Sequence, residues 1–446
     1  MPHLALLLQV QVRQQKGNNM KYILKNGIIL DGTKDMQPVE NKYIVIDGNK
    51  ITAITDSING LEGYEEIDLA GKYVLPGLIN MHVHLPASGK PSNKKSDPEK
   101  LVHFLLSNPL TTAIAYNICY KAAKTELMSG VTTIRTVGGI SNFDTRIRDE
   151  IMQGKKIGPR IVASNEAVSV PGGHMAGSVA KACHTVDEAV SFVEEIEADH
   201  PDLIKLMITG GVLDAKEKGV PGELKMPAEM VKACCDKAHE QGFKVAAHVE
   251  STEGVLVALK NGVDSIEHGA KPTDEMMELF KEKNAFVCTT ISPALPFALF
   301  DQSVSKIDDI AKFNGEMVFN GVIDCSKAAL ENNIPVALGN DVGCPYVTHY
   351  DFWRELCYFV KFVGVTPSFA LHTATLVNAT LAGIGDQTGS IEAGKDADII
   401  VVDDNPLENL ETLRNVRMVF ARGNCVKKPV VKRMEIVDKN LDPFLK

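Results

Sequence analysis

The stretch that decides the fold is Val74-Leu75-Pro76-Gly77-Leu78-Ile79-Asn80-Met81-His82-Val83-His84. An apolar run of strand length ends in two histidines two positions apart. In an extended strand, residues i and i+2 face the same side, so both imidazoles can meet one ion. A single His-x-His pair arises often by chance, and one histidine at a strand end is commonly a hydrogen-bonded core residue. The weight comes from recurrence. Further apolar runs end in, or contain, a group able to bind a metal: Leu203-Ile204-Lys205-Leu206-Met207, the run up to His248, Ile266-Glu267-His268-Gly269, and Pro335 to Asp341.

Between these runs the text alternates. Pro227 to Glu240 places Met230, Val231, Cys234, Cys235 and Ala238 at helical spacing, and Gly242 ends it. The run Phe243 to His248 comes next as a strand. The unit then repeats as helix Glu253 to Lys260 with strand Val263 to His268, and as helix Glu275 to Lys283 with strand Ala285 to Thr290. Such alternation over residues 75–382 predicts an α/β fold, a parallel sheet with helical crossovers. The length suits a (β/α)8 TIM-like barrel, in which strand C-termini converge on one face. A doubly wound open sheet is the alternative. It would usually show a glycine-rich phosphate turn after its first strand, and none is present.

The two ends have a different texture. Tyr22-Ile23-Leu24, Gly27 to Gly32, Tyr43 to Ile51 and Glu66 to Gly71 are short β-rich runs broken by Asp-Gly, Asn-Gly and Gly-Asn, the pattern of hairpins. It returns at Gly389-Ser390-Ile391, Ala397 to Asp403 and Val416 to Gly423. Residues 20–74 and 383–446 are therefore expected to form one small β-sandwich domain, with a C-terminal tail. Residues 1–19 look foreign to the chain beyond Met20. Leu4 to Leu8 is a short apolar run without a basic leader or a small-residue cleavage site, so a leader or tail ahead of Met20 is expected, in place of a signal peptide.

The 446 residues carry a net charge of −10 and no Lys/Arg block, which argues against nucleic-acid binding. No apolar run reaches the about 18 residues needed to span a membrane. Nine scattered cysteines without a Cys-x-x-Cys motif read as buried thiols of a reduced, cytoplasmic protein.

Lys205 interrupts an apolar strand, and a buried ammonium is costly unless paired. One reading is a lysine paired with a carboxylate. The other is a depressed pKa that lets the neutral amine add CO2, giving a carbamate able to bridge two metals. With these residues in place, the chain resembles the amidohydrolase superfamily. The resemblance rests on Val74 to His84, Gly130-Val131-Thr132-Thr133-Ile134-Arg135, Gly158-Pro159-Arg160-Ile161, Ile204-Lys205-Leu206, His248, Ile266 to Gly269, Gly339-Asn340-Asp341 and Gly389 to Asp398. It covers residues 20 to 423, and these motifs together are specific to the superfamily. Pro171-Gly172-Gly173-His174 and Thr209-Gly210-Gly211-Val212 make the chain similar to the prolidase, Xaa-dipeptidase and carboxypeptidase branch.

The resemblance implies two divalent ions. His82, His84 and Asp341 would take the first, His248 and His268 the second, with carbamylated Lys205 and a hydroxide between them. Zn2+ suits these ligands best, and Mn2+, Co2+ or Fe2+ fit similar sites. The implied reaction is amide hydrolysis. The metals acidify the water and polarise the carbonyl, and Asp341 carries the proton to the leaving amine. The small-molecule substrate would be a dipeptide (Xaa-Pro or another Xaa-amino acid) or an N-acyl amino acid. Relatives of this kind are often homo-oligomers.

Candidate substrate contacts are His174, in its glycine-rich loop; Arg135, able to reach a carboxylate or to form a structural ion pair; Glu250, able to hold an ammonium or to order a neighbouring histidine; and His349 and Tyr350, after Asp341. Trp353 reads as core. The chain departs from the family's pattern at Asn80, Asn340 and Thr136, where many relatives carry acidic residues or Thr, and at Glu250, where dipeptidase relatives often carry Tyr. Glu250 keeps open a second reading, a mononuclear deaminase or imidazolonepropionase-like cyclic amide hydrolase; Lys205 argues against it. A non-catalytic scaffold is disfavoured because every ligand position is filled. Lactonase or phosphotriesterase activity would be a side reaction of the same site.

Overall fold

The computed structural model describes residues 20–91 and 97–445, so the expectation for residues 1–19 lies outside the described residues. Among the described residues the first strands are β1 (Lys21–Lys25), β2 (Ile28–Ile29), β3 (Tyr43–Asp47), β4 (Lys50–Thr55), β5 (Glu65–Asp68) and β6 (Tyr73–Pro76). The middle of the chain carries β7 (Leu78–Val83), β8 (Val131–Thr136), β9 (Arg160–Val162), β10 (Ala167–Ser169), β11 (Ala180–Ala182), β12 (Leu203–Met207), β13 (Lys244–Val249), β14 (Ser265–His268), β15 (Phe286–Thr289) and β16 (Val336–Leu338). The last strands are β17 (Ile399–Val402), β18 (Met418–Ala421) and β19 (Asn424–Val426).

The terminal segments build two sheets. One has the order β4-β3-β1-β5, and the other, β19-β18-β17-β6-β2, interleaves strands from both ends of the chain. The β3–β4 hairpin turns on Gly48-Asn49, with Asp47 opposite Lys50 and Gly48 at φ +60°, as its Asp-Gly-Asn text predicts. Leu24, Ile44, Ile46, Val74, Ile399 and Phe420 share one buried cluster drawn from both sheets. The Gly389-Ser390-Ile391 run is not a strand. The Ile391 N–H donates to Asp31 O at 2.9 Å instead.

The middle of the chain is parallel throughout. One sheet runs β11-β10-β12-β13-β14-β15-β16 and the other β7-β8-β9. The helices Ala228–Glu240, Thr252–Lys260 and Asp274–Lys283 each precede the next strand of the larger sheet. Pro227 is extended (ψ 144°) and caps the first of these, so that helix starts one residue later than its sequence pattern predicts. The Ser251 and Thr273 side chains accept the Gly254 and Met276 N–H groups and start the other two. Strands β7, β12 and β14 are buried along their whole length, as strands covered on both faces must be.

Three contacts set the frame around the strand ends. The Asp341 N–H donates to His82 O at 3.0 Å, joining the segment after β16 to β7. Asn378, fully buried, donates to Ile79 O (2.7 Å) and Leu338 O (2.9 Å) and accepts the Leu338 N–H (3.0 Å), tying the same two strands from behind. Gly77, between β6 and β7, admits no side chain: a Cβ there would lie 2.0 Å from Thr132 Oγ1. Trp353 lies in the wholly buried helix Phe352–Tyr358, as expected for core. No helix among the described residues is long and apolar enough to cross a membrane.

Replacing Asn378 with Ala leaves three buried backbone groups unpaired. We expect about 3 kcal/mol of lost stability, read as a lower urea midpoint; an unchanged midpoint would show that the tie between β7 and β16 does not matter.

Candidate active site

The expected ligands come together at one end of the parallel strands. His82 Nε2 and His84 Nε2 each lie 3.3 Å from Asp341 Oδ1. His268 stands beside His82 with ring centroids 5.0 Å apart, and His248 beside His268 at 4.7 Å. His82, His268 and Asp341 offer ligand atoms within 4.8 Å of one another, and so do His248, Glu250 and His268. His268 therefore belongs to both groupings, which places two candidate cation positions side by side.

Each imidazole is oriented from behind. His82 Nδ1–H donates to Glu267 Oε2 at 2.8 Å and His84 Nδ1–H to Gly138 O at 2.9 Å, which leaves Nε2 of both with a lone pair toward Asp341. His268 Nδ1 bonds Thr290 Oγ1 at 2.7 Å, and His248 Nε2 faces Gly210 O at 3.3 Å. Burial favours the neutral form of His82, His248 and His268. It lowers His82 to about 4 and holds His248 and His268 well below the ordinary histidine value, despite the nearby Asp341 carboxylate. Neutral imidazole is the form that binds metal. Asp341 itself is held well below the carboxylate range, because His82, His84 and His268 outweigh its desolvation.

Lys205 sits at the centre of β12, 1% exposed, and its Nζ has no hydrogen-bond partner. Desolvation lowers it to about 8. A buried, unpartnered amine among neutral imidazoles and a carboxylate is a poor resting place for an ammonium. It fits a group that is modified or that meets an ion.

Two of the ligands sit on strained backbone. His268 (φ +72°) and Asp341 (φ +50°) both adopt the left-handed region, which non-glycine residues rarely enter. Such strain costs about 1–3 kcal/mol each and persists where surroundings over-determine the geometry. Both follow the end of a strand or stand at its last position, where the chain must turn to aim a side chain inward.

A family model described as the amidohydrolase family matches residues 73–426. The chain belongs to this family. It is a hydrolase acting on C–N bonds. Among solved structures it is similar to a candidate prolidase from Bifidobacterium longum, at 35% identity and TM-score 0.83, covering 95% of this chain and 98% of that one. Among curated proteins it is similar to ochratoxinase of Aspergillus niger (26% identical; 91% of this chain, 87% of that protein). It is also similar to imidazolonepropionase of Fusobacterium nucleatum (26% identical; 84% and 89%).

The substrate contacts divide. His174 faces the cavity, stacked on His248 with centroids 4.0 Å apart and planes within 7°. Its Nδ1 bonds Asp214 Oδ2 at 2.6 Å. Glu250 also lines the cavity. Arg135, His349 and Tyr350 commit their polar atoms to other parts of the fold, and Arg135 takes the structural ion pair of its two readings. Arg135, 4% exposed, forks onto both Glu267 oxygens (2.7 and 2.8 Å) and donates to Met81 O and Ser265 Oγ. His349 is shared between Glu126 Oε1 and Ala87 O, and the Tyr350 hydroxyl accepts the Met434 N–H. All three are buried, with their polar atoms used by the fold.

Sequence reasoning passed over Glu267, Asp214, Thr290 and Glu355. Glu267 had a signal: an acid inside a buried strand deserves the question put to Lys205. Its neighbours Arg135, His82 and Lys205 hold its carboxyl far below the usual range. Glu355 accepts the Ile291 and Ser292 N–H groups and the Ser292 hydroxyl, starting the helix Ile291–Leu299 that walls the cavity; burial raises it to about 7. Asn80 and Asn340, two of the positions that depart from the family's pattern, pair with each other: Asn80 Nδ2 donates to Asn340 Oδ1 at 2.8 Å.

Arg135→Met strands the buried Glu267 charge. We expect a loss of about 3–5 kcal/mol in stability, seen as a lower thermal midpoint, whereas loss of a substrate contact would raise KM at unchanged stability. A second expectation concerns pH. The unfolded chain holds the Lys205 proton up to its ordinary value of 10.5, and the folded protein releases it at about 8. Between these values the unfolded state binds more protons, so stability rises with pH. In metal-free, CO2-free buffer the stability of wild type relative to Lys205→Met should therefore climb between those values. A flat difference would place the lysine proton elsewhere.

Proposed function

We propose that the chain is a binuclear metal-dependent amidohydrolase cleaving the amide of a dipeptide or N-acyl amino acid. The observation that carries this reading is the convergence of four histidines and Asp341 around a buried lysine amine that has no partner among the described residues. The donor set, imidazole and carboxylate, fits Zn2+, with Mn2+, Co2+ and Fe2+ as fits of the same kind. His82, His84 and Asp341 would hold one ion and His248 and His268 the other. Lys205, its amine neutral at mildly alkaline pH, would add CO2 with release of a proton to solvent, and the resulting carbamate would serve as an anionic ligand. When bound, such ions make a water nucleophilic at neutral pH and polarise the scissile carbonyl.

The chain's own side chains do the rest. Asp341, within reach of the reacting water, takes its proton and returns it to the leaving nitrogen. His174, held at Nδ1 by Asp214, presents Nε2 to the substrate carbonyl or carboxylate. Leu213, Pro293, Ala294, Phe297, Val318 and Val322 line the cavity and keep water from the bond being cleaved. We read the two parallel sheets, joined by the Asp341–His82 backbone bond, as one (β/α)8 barrel over residues 75–382, with the terminal sheets as a β-sandwich.

A mononuclear deaminase or imidazolonepropionase-like cyclic amide hydrolase is the second reading. Glu250 beside His248 and His268 favours it, as does the similarity to an imidazolonepropionase. It gives Lys205 no task.

Zinc-reconstituted protein with bicarbonate should release free amino acid from a panel of Xaa-Pro, Xaa-Lys and Xaa-hydrophobic dipeptides and N-acyl amino acids. Ammonia or ring-opened product in its place selects the second reading. Asp341→Asn should lower kcat by about a thousandfold; near-normal turnover in the metal-replete variant would remove Asp341 from the mechanism.

A further inference from the structure

Glu250 is the one acidic side chain lining the cavity that this reaction leaves without a task. It stands two residues past His248, just beyond the end of β13, and its carboxylate lies on the same side as that histidine, within 4.8 Å of a ring nitrogen. Its backbone is clamped. The Glu250 N–H donates to Thr209 Oγ1 at 3.1 Å, and a Cβ on Gly222 would lie 2.4 Å from the Glu250 carbonyl carbon, so the 219–224 loop packs directly on it. The side chain is thus aimed with little freedom.

Its Oε2 is buried and has no hydrogen-bond partner. Among the described residues no lysine or arginine lines this cavity; Lys271 lines the neighbouring cleft on the other side of Glu250, but no ion pair joins the two. On one side stand His248 and His268, each with a ring nitrogen within 4.8 Å of the Glu250 carboxylate; the rest of the cavity wall is apolar: Leu213 from the 210–214 loop, Phe297 from the helix Ile291–Leu299, and Val318 and Val322 from the helix Asp309–Glu331. The charges that act on it are the carboxylates of Asp341 and Asp214, and the Val212 N–H donates to its carboxyl. The second oxygen, buried and without a partner, is costly to leave so and is satisfied by what enters the cavity. Charge complementarity selects a cation that also donates hydrogen bonds.

We infer that Glu250 binds an alkylammonium group of the substrate. Resting on the amidohydrolase reading, this narrows the substrate to amides bearing a free primary ammonium. That group is the α-ammonium of an unblocked dipeptide or the side-chain ammonium of a basic residue. N-acyl amino acids lacking either are disfavoured.

Three substrates separate these sources: alanyl-phenylalanine, lactoyl-phenylalanine (hydroxyl in place of the α-ammonium, same shape) and lactoyl-lysine. Wild type and Glu250→Gln, both zinc-reconstituted, are compared by kcat/KM and by zinc bound per chain. In wild type we expect one ammonium-bearing substrate to exceed lactoyl-phenylalanine by about 10- to 100-fold, the range of a hydrogen bond to a charged group. Whichever it is names the source. In Glu250→Gln that ratio should collapse to within about threefold. Absence of an ammonium preference in wild type overturns the inference whether or not the variant is stable. So does an equal ratio in both proteins, or loss of one zinc per chain in Glu250→Gln, which would make Glu250 a metal ligand. Amino acid release without ammonium preference overturns this inference alone; release from none of the three overturns the amide-hydrolase reading with it.

Discussion

The Glu267 carboxylate is the hinge of the structure. Fully buried in β14, it receives the fork of Arg135 from β8 on one side and the Nδ1–H of His82 from β7 on the other. A carboxylate taken this far from water is tolerable only when paired and hydrogen-bonded. Here the compensation fixes geometry across three strands. Arg135 also holds Met81 O and Ser265 Oγ, so one guanidinium ties the β7 backbone to the Ser265 hydroxyl of β14. Breaking any member leaves charge without a partner, and the orientation of His82 goes with it.

Around that centre the chain buries polar groups only where they aim something. Asn80 and Asn340 hold each other across the two strands that carry His82 and Asp341. Gly339 leaves room for this approach: a Cβ there would lie 2.5 Å from the His82 Cβ. His268 and Asp341, at or just past the ends of their strands, both hold left-handed backbone. Side chains oriented before any ligand arrives need no rearrangement when it does, which is how a rigid scaffold contributes to catalysis.

Much of this is legible in the residues alone. His-x-His at the end of an apolar run, and Lys205 inside one, stand out because strand periodicity and burial cost are local properties. They point to His82, His84, Lys205, His248, His268 and Asp341 without any contact being known. The helix–strand rhythm from Pro227 to Thr290 matches the elements to within a residue or two. The substrate contacts are less legible. Arg135, His349 and Tyr350 have the right chemistry and sit near ligands in the chain, yet each commits its polar atoms to the fold.

Which residue types meet at strand ends can be read from the residues alone, since alternation along a strand and the cost of a buried charge need no partner to be known. Only the tertiary structure decided which polar groups remain free. Glu267 satisfies Arg135 and His82, Asp214 holds His174, and Glu250 is left with an oxygen that no described residue satisfies. Hydrogen bonds are exclusive and short-ranged, so whether a side chain serves the fold or faces the cavity depends on neighbours tens to hundreds of residues away.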